Sequence, residues 1–373
     1  MKARLSDADN TLIDDLFNSV LANSINLALG QPDFGTPEGA KRAATEAIQQ
    51  DYTKYTPSDG IPELRELIAE KYRNETGQSY NKGNVLVTTG ATEACMSAVL
   101  AFSNTGDEVI LPDPGFPLYR SQVLVAGATP VFVRLRREDN FRMTPEDVES
   151  ALTSKTKVII LNSPNNPTGS VSTKDDVMGI AKLLKGKDII VISDEVYRRF
   201  IYDGSHHSIG NYLDTAVVVD AVSKEHDMTG WRVGWALGRS DLIGEMSKIH
   251  QAMVTCPSSV SQYAALGALR GGNDRMPSIL SGYRERRDYL VDGLRDIGVE
   301  CEPPSGAFYI FPDISRYGSS VDVSRRIAAN GVLVAPGIIF GPSNDGNIRL
   351  TYSTSSKGVL SEALYRMKGA LRG

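Results

Sequence analysis

Five short runs of β-branched and aliphatic residues, spaced so that helices fit between them, constrain this 373-residue chain more than any other feature. They are Val85-Leu86-Val87-Thr88-Thr89, Val109-Ile110-Leu111, Val158-Ile159-Ile160-Leu161, Ile189-Ile190-Val191-Ile192-Ser193 and Ala216-Val217-Val218-Val219. The runs are near-continuous rather than alternating polar with apolar, so each predicts a strand covered on both faces, as in a mostly parallel sheet flanked by helices. Residues 63–72, 93–102 and 175–184 lie between them with apolar residues at helical spacing. The class is α/β. The C-terminal part reads differently: a charged helix pattern from Pro277 to Ile297, strand-like Ala307-Phe308-Tyr309-Ile310-Phe311, then more helix and strand. It predicts a smaller α+β domain. A loop-like stretch from Ala268 to Met276, with Gly267, Gly271 and Gly272 in or beside it, separates a large domain (36–274) from a small one (275–373). Residues 1–35 are expected to form an N-terminal arm belonging in part to the small domain, crossing at the Pro/Gly-rich segment 30–37.

Composition narrows the partners. Hydrophobic residues at 41% and charged residues at 23% suit a globular chain rather than a disordered one. A net charge of −5 with no basic block argues against nucleic acid. Cys95, Cys256 and Cys301 are far apart and lack Cys-x-x-Cys spacing, so neither disulfides nor a metal site is expected, and a reducing cytoplasm fits. The start, Met1 to Asp7, has no leader-like apolar stretch, and no apolar run is long enough to span a bilayer. The expectation is a soluble, cytoplasmic protein.

In an open parallel sheet, ligands bind beyond the carboxyl ends of the strands, so the residues after each run carry the functional reading. The first run leads to Gly90-Ala91-Thr92-Glu93, a glycine turn opening a helix, whose N–H groups suit an anion such as phosphate or simply start the helix. After the second comes Phe116 among turn prolines, either a core aromatic or a ring able to stack on a planar ligand. After the third comes Asn166, beside a proline whose preceding bond could be cis, with an amide able to donate to a ligand oxygen or to serve a surface turn. The fourth ends at Asp194, with Tyr197 three residues on; a carboxylate so placed needs a cationic or hydrogen-bonding partner. The fifth leads to Ser223-Lys224 and then Arg232. A lysine in apolar company at a sheet edge tends to a lowered pKa, as an amine nucleophile or proton shuttle requires. Together these groups describe one ligand, with a phosphate, a flat ring bearing a protonatable nitrogen, a hydroxyl oxygen and an aldehyde. Pyridoxal 5′-phosphate has all four.

From about Leu27 to Ser355 the chain resembles the class I/II aminotransferases of the fold-type I pyridoxal-phosphate superfamily. The likeness is carried by Gly-Gln-Pro-Asp-Phe (30–34), Tyr-Thr-Pro-Ser-Asp-Gly (55–60), Gly-Ala-Thr-Glu-Ala (90–94) and Asn-Asn-Pro-Thr-Gly (165–169). It continues in Asp-Glu-Val-Tyr (194–197), Ser223-Lys224, Met-Thr-Gly-Trp-Arg-Val-Gly (228–234) and Arg349 in Asn-Ile-Arg-Leu. The resemblance implies that Lys224 is the Schiff-base lysine, Asp194 the partner of the pyridinium nitrogen, Tyr197 and Asn166 the donors to the ring oxygen, and Phe116 the stacking aromatic. It implies that Gly90, Ala91, Thr92, Ser223 and Arg232 hold the phosphate, with Tyr55 reaching the phosphate of a partner subunit in a homodimer. Arg349 resembles the arginine that grips the substrate α-carboxylate, with Gly30 in the arm beside it. The implied activity is ping-pong transfer of an amino group from an L-amino acid to a 2-oxo acid, with glutamate/2-oxoglutarate or aspartate/oxaloacetate among the couples.

The chain departs from the family pattern in places. Ala221 stands where many relatives have a serine. Glu225, His226 and Asp227 follow the lysine where small or aromatic residues are usual, and are expected in solvent, the alternative being that they raise the lysine pKa. His206 and His207 are expected in a surface loop after the Tyr202-Asp203-Gly204 turn. Gln251 and Thr92 fall where two subgroups of aspartate-specific relatives place a cation, and both are uncharged. The same fold also serves carbon–sulfur β-lyases and related eliminating enzymes, which stay open as the alternative activity.

Overall fold

The computed structural model describes residues 24–272, 274–353 and 356–372; the first 23 residues of the expected arm lie outside the described residues. The first strand, β1 (Ile25–Asn26), precedes the sheet that organises the molecule. That sheet contains β2 (Val85–Thr88), β3 (Glu108–Asp113), β4 (Thr129–Arg134), β5 (Thr156–Asn162), β6 (Ile190–Asp194), β7 (Ala216–Ala221) and β8 (Gly234–Gly238), in the order β2-β8-β7-β6-β5-β3-β4. Pairing is parallel from β4 through β7, and β8 runs antiparallel to both neighbours. All five runs read as strands are strands, and the sheet is mostly parallel as expected.

Two strands of this sheet escaped the sequence reading for physical reasons. The β4 strand lies at the sheet edge, half-exposed, and contains Pro130, which a central strand would not tolerate. The β8 strand is bounded by glycines. Gly234 is required by a close approach: a Cβ there would come within 2.6 Å of the Ala91 nitrogen. This contact presses β8 against the turn after β2.

The loop-like stretch from Ala268 to Met276 is shorter than the sequence suggests. Helix Ser259–Arg270 runs through Ala268, and the next helix begins at Met276. Gly267 sits inside the helix because it packs against helix Glu38–Gln49, where a Cβ would lie 2.5 Å from the Gly39 carbonyl oxygen. The strand-like run 307–311 contributes only β9 (Tyr309–Ile310), since Ala307 has a positive φ of 54°.

After Met276, a core forms around Tyr283, Phe308 and Tyr352. Leu27 enters it from the N-terminal side, and Tyr197, Phe200 and Tyr202 enter from the loop after β6. There β1 pairs in parallel with β10 (Val332–Leu333), and β11 (Ala335–Pro336), β12 (Ile348–Thr351) and β9 form an antiparallel sheet. The end of β6 and the middle of β12 thereby face one another.

Because Gly267 and Gly39 allow two helices to touch backbone to backbone, Gly267→Ala should destabilise the protein by about 1–3 kcal/mol through overpacking. Thermal unfolding would show this as a lower midpoint.

Candidate active site

The strand ends of the large sheet and the middle of β12 line one cavity of about 320 Å³. Ala91, Thr92, Phe116, Asn166, Asp194, Tyr197, Ser223, Lys224, Arg232, Arg349 and Gly30 all line it. Gly90 shapes the turn at its edge. Tyr55 does not reach it, and is 89% exposed.

Asp194 closes β6 and is buried. Its Oδ2 accepts from the Tyr119 hydroxyl at 2.6 Å and its Oδ1 from the Val196 amide at 3.3 Å. Burial pushes its pKa up to about 6, against the Tyr119 hydrogen bond, which holds it down. Among the described residues no cation pairs with it. A protonated ring nitrogen would supply the missing charge.

Lys224 lies on a four-residue helical turn, Val222–Glu225, directly after β7. Its Nζ donates to the Gly30 carbonyl oxygen at 2.8 Å. Burial, then Arg349 and Arg232, push its pKa down to about 8, only partly opposed by Asp194. The neutral amine is thereby accessible near neutral pH.

Arg349, on β12, donates to Asn166 Oδ1 at 2.8 Å and to the Ala28 carbonyl, and its Nε has no partner. The Tyr309 and Phe340 rings lie 4.6 and 4.8 Å from its guanidinium carbon. Burial pushes its pKa down. A buried guanidinium held only by neutral acceptors is a site for an incoming carboxylate. The bond to Arg349 occupies the Asn166 oxygen, so the amide N–H is the donor Asn166 has left. The bond before Pro167 is cis.

The opposite end suits a phosphate. Helix Ala91–Phe102 has Gly90 at its N-cap with φ 79° and no capping side chain, so its first amides are available to an anion. A Cβ on Gly90 would meet Arg232 Nη2 at 2.6 Å, which places the guanidinium against the turn. Ser223 and Thr229 line the same cavity, as does Ala221. The donor set therefore matches a phosphate, a ring nitrogen and a carbonyl carbon, the parts of pyridoxal phosphate.

Two site residues were missed from sequence. Tyr119 was visible only as a tyrosine one helical turn after Phe116. Tyr309, whose hydroxyl lies 2.7 Å from that of Tyr197, was hidden inside an apolar strand pattern. The expectation that Glu225, His226 and Asp227 lie in solvent is overturned. Glu225 and His226 are buried, and Asp227 pairs with Arg275 at 2.6 Å with its side chain 2% exposed. Burial pushes His226 down to about 4 and Asp227 up to about 6. None of the three is a cause of the Lys224 shift, because the short turn at Val222–Glu225 directs Glu225 towards Arg199 instead. His206 also departs from a simple surface loop: its Nε2 lies 2.8 Å from the buried Glu195 carboxylate.

A buried lysine, a carboxylate at a strand end and an uncapped helix N-terminus on a doubly covered sheet suit a pyridoxal-phosphate enzyme. The sequence profile of the family Aminotransferase class I and II matches residues 22–367, and the chain belongs to that family. It is 38% identical to a probable aspartate aminotransferase of Methanocaldococcus jannaschii, over 96% of each chain. Its fold matches the aspartate aminotransferase from Thermus thermophilus with maleate (TM-score 0.91, 36% identity, 99% of this chain and 97% of that one). The aromatic aminotransferase from Pyrococcus horikoshii is similar too (TM-score 0.89, 37% identity, 97% and 98% covered). This protein is thus a pyridoxal-phosphate-dependent aminotransferase acting on amino acids and 2-oxo acids. No helix among the described residues is long and apolar enough to cross a membrane.

The raised Asp194 pKa has a consequence for stability. The carboxyl titrates at 3.8 when unexposed to the fold's influence and at about 6 in the cofactor-free protein, so this group's contribution is fully present below 3.8 and is lost as pH rises through 6. Asp194→Asn should stabilise the cofactor-free chain by up to about 3 kcal/mol at high pH and have little effect in acid. Denaturant titrations at the two pH values measure the difference.

Proposed function

We propose that the protein transfers amino groups by a ping-pong cycle in which Lys224 is both the covalent anchor of the cofactor and the base at the substrate Cα. The observation that carries this reading is the Lys224 environment: an amine that rests on the Gly30 carbonyl and lines one cavity with Arg349, Arg232 and Asp194. When bound, pyridoxal phosphate supplies an electrophilic aldehyde and a ring that accepts the electrons of the Cα bond being broken. Asp194 keeps a proton on the ring nitrogen. Tyr197 and Asn166 donate to the ring oxygen, and Phe116 covers a ring face. The amides of Ala91 and Thr92 after Gly90, with Ser223 and Arg232, hold the phosphate.

Arg349 grips the substrate α-carboxylate, with Gly30 closing beside it. Lys224 Nζ, once free of the cofactor, would take up and return the proton at the substrate Cα. Tyr55, far from its own cavity, reaches the phosphate of a second subunit, which makes the working unit a homodimer. The exposed Ile48, Tyr52 and Met253 favour such an interface. The packing after Met276 suits a division into arm (1–35), large domain (36–274) and small domain (275–373). Three unpaired cysteines fit a cytoplasmic setting.

The aspartate aminotransferases among the relatives favour aspartate/oxaloacetate as one couple, and the family resemblance adds glutamate/2-oxoglutarate. Around Arg349 the wall is apolar, made by Leu29, Pro336, Ile339 and Phe340. Among the described residues, the cations lining the cavity are Lys224, Arg232 and Arg349, so an apolar substrate side chain should be accepted as well.

Lys224→Ala should abolish transamination and remove borohydride-fixed cofactor from position 224. Arg349→Gln should lower kcat/KM for amino acids at least about a hundredfold while sparing amines that lack the carboxylate. A panel of amino donors and oxo-acid acceptors, followed by cofactor absorbance, tests the whole reading. Pyruvate and ammonia released from cysteine conjugates without an acceptor would identify a lyase instead.

A further inference from the structure

The turn from Thr89 to Thr92 is held from behind by a group that none of the chemistry above uses. His250, on helix Ser240–Val254, has a fully buried side chain. Its Nδ1 lies 2.8 Å from Glu93 Oε1, and its Nε2 lies 2.9 Å from the Ser58 carbonyl oxygen. Both partners are acceptors. The ring satisfies both only with a proton on each nitrogen, that is, as the imidazolium.

Each partner leads to the phosphate end of the site. Glu93 Oε2 accepts from the Thr89 amide at 2.7 Å, so this carboxylate closes the turn that presents the Ala91 and Thr92 amides. Its Oε1 also accepts from the Ser97 hydroxyl at 2.9 Å. Ser58 lies in the 55–60 segment that carries Tyr55, and the Asp59 carbonyl of that segment accepts from the Val87 amide at 2.9 Å. The charged groups facing His250 are Glu93 from helix Ala91–Phe102 and Asp59 from the segment, the latter 3.5 Å from Arg65 and bonded by the Ser247 hydroxyl. Burial alone would push the ring's pKa down; Glu93, the Ser58 carbonyl and Asp59 carry it above its ordinary value.

We propose that His250 is a positioning residue for the cofactor phosphate, its two N–H groups locking the Thr89–Thr92 turn to the segment that carries Tyr55. This rests on the reading above that the phosphate sits on that turn. Replacing the ring, or removing its second proton, takes the histidine donor from either Glu93 or Ser58, and the link that joins the turn directly to the segment is lost, leaving the Val87–Asp59 bond further back in the strand. The defect is confined to the phosphate end, because Lys224, Asp194 and Arg349 are held by other elements.

The test compares binding of pyridoxal phosphate and of pyridoxal, which lacks the phosphate, by the full-length protein and its His250→Asn and Glu93→Gln variants. Each variant should weaken pyridoxal phosphate binding about tenfold, the effect of losing a charged hydrogen bond, and leave pyridoxal binding unchanged. Equal weakening of both ligands, or no change in either, overturns the proposal. A wild-type protein that does not prefer pyridoxal phosphate to pyridoxal would instead overturn the phosphate reading on which it rests. Should both variants fail to fold, nitrogen NMR of the wild-type holoenzyme decides, since the chain has only four histidines. A His250 ring carrying two protons above neutral pH supports the proposal, and a neutral ring with one N–H overturns it.

Discussion

A surplus of positive charge around one cavity is the constraint around which this structure is arranged. Among the described residues, Lys224, Arg232 and Arg349 share the cavity with one carboxylate, Asp194. Burial away from water comes first and the like charges of Arg349 and Arg232 add to it, so the lysine gives up its proton more readily. On the function proposed above, the imbalance also selects the ligands: a phosphate would neutralise one end, a carboxylate the other, and a ring nitrogen would answer Asp194.

Much of this was legible in the sequence because parallel strands buried on both faces are written as unbroken apolar runs, and ligand-binding residues follow where each run stops. Asp194 and Lys224 could be found in that way, each by its place after a run. Arg349 could not, and came only from the family likeness, since it lies in the middle of β12 rather than at a strand end. Tyr119 and Tyr309 were not legible, because what gives them meaning is a hydroxyl partner from another element, 75 and 112 residues away in the chain. The acidic and histidine residues after Lys224 misled for a related reason. Charge usually signals solvent, but Asp227 finds Arg275, and Glu225 lies 3.7 Å from Arg199, an ion pair that spacing along the chain does not reveal.

Behind the reacting groups lies a second layer of paired charge. Asp220, the penultimate residue of β7, accepts from the Tyr72 hydroxyl at 3.0 Å and from Arg198 Nε at 2.7 Å. Arg198 also binds Glu75, and is the neighbour of Tyr197 in the chain. The network therefore joins the strand that leads to Lys224 with the loop that carries Tyr197. Burying these ions is tolerable because nearly every one has an opposite partner, in contrast to the cavity in front of them.

The amine of Lys224 rests on the carbonyl of Gly30, and a Cβ at that glycine would fall within 2.0 Å of the Tyr309 hydroxyl oxygen. The resting place of the nucleophile is therefore written in main chain rather than in a side chain. An exchange of side chains at position 30 therefore leaves the acceptor itself in place, and alters the lysine's rest only through the Tyr309 ring that any added Cβ would push against.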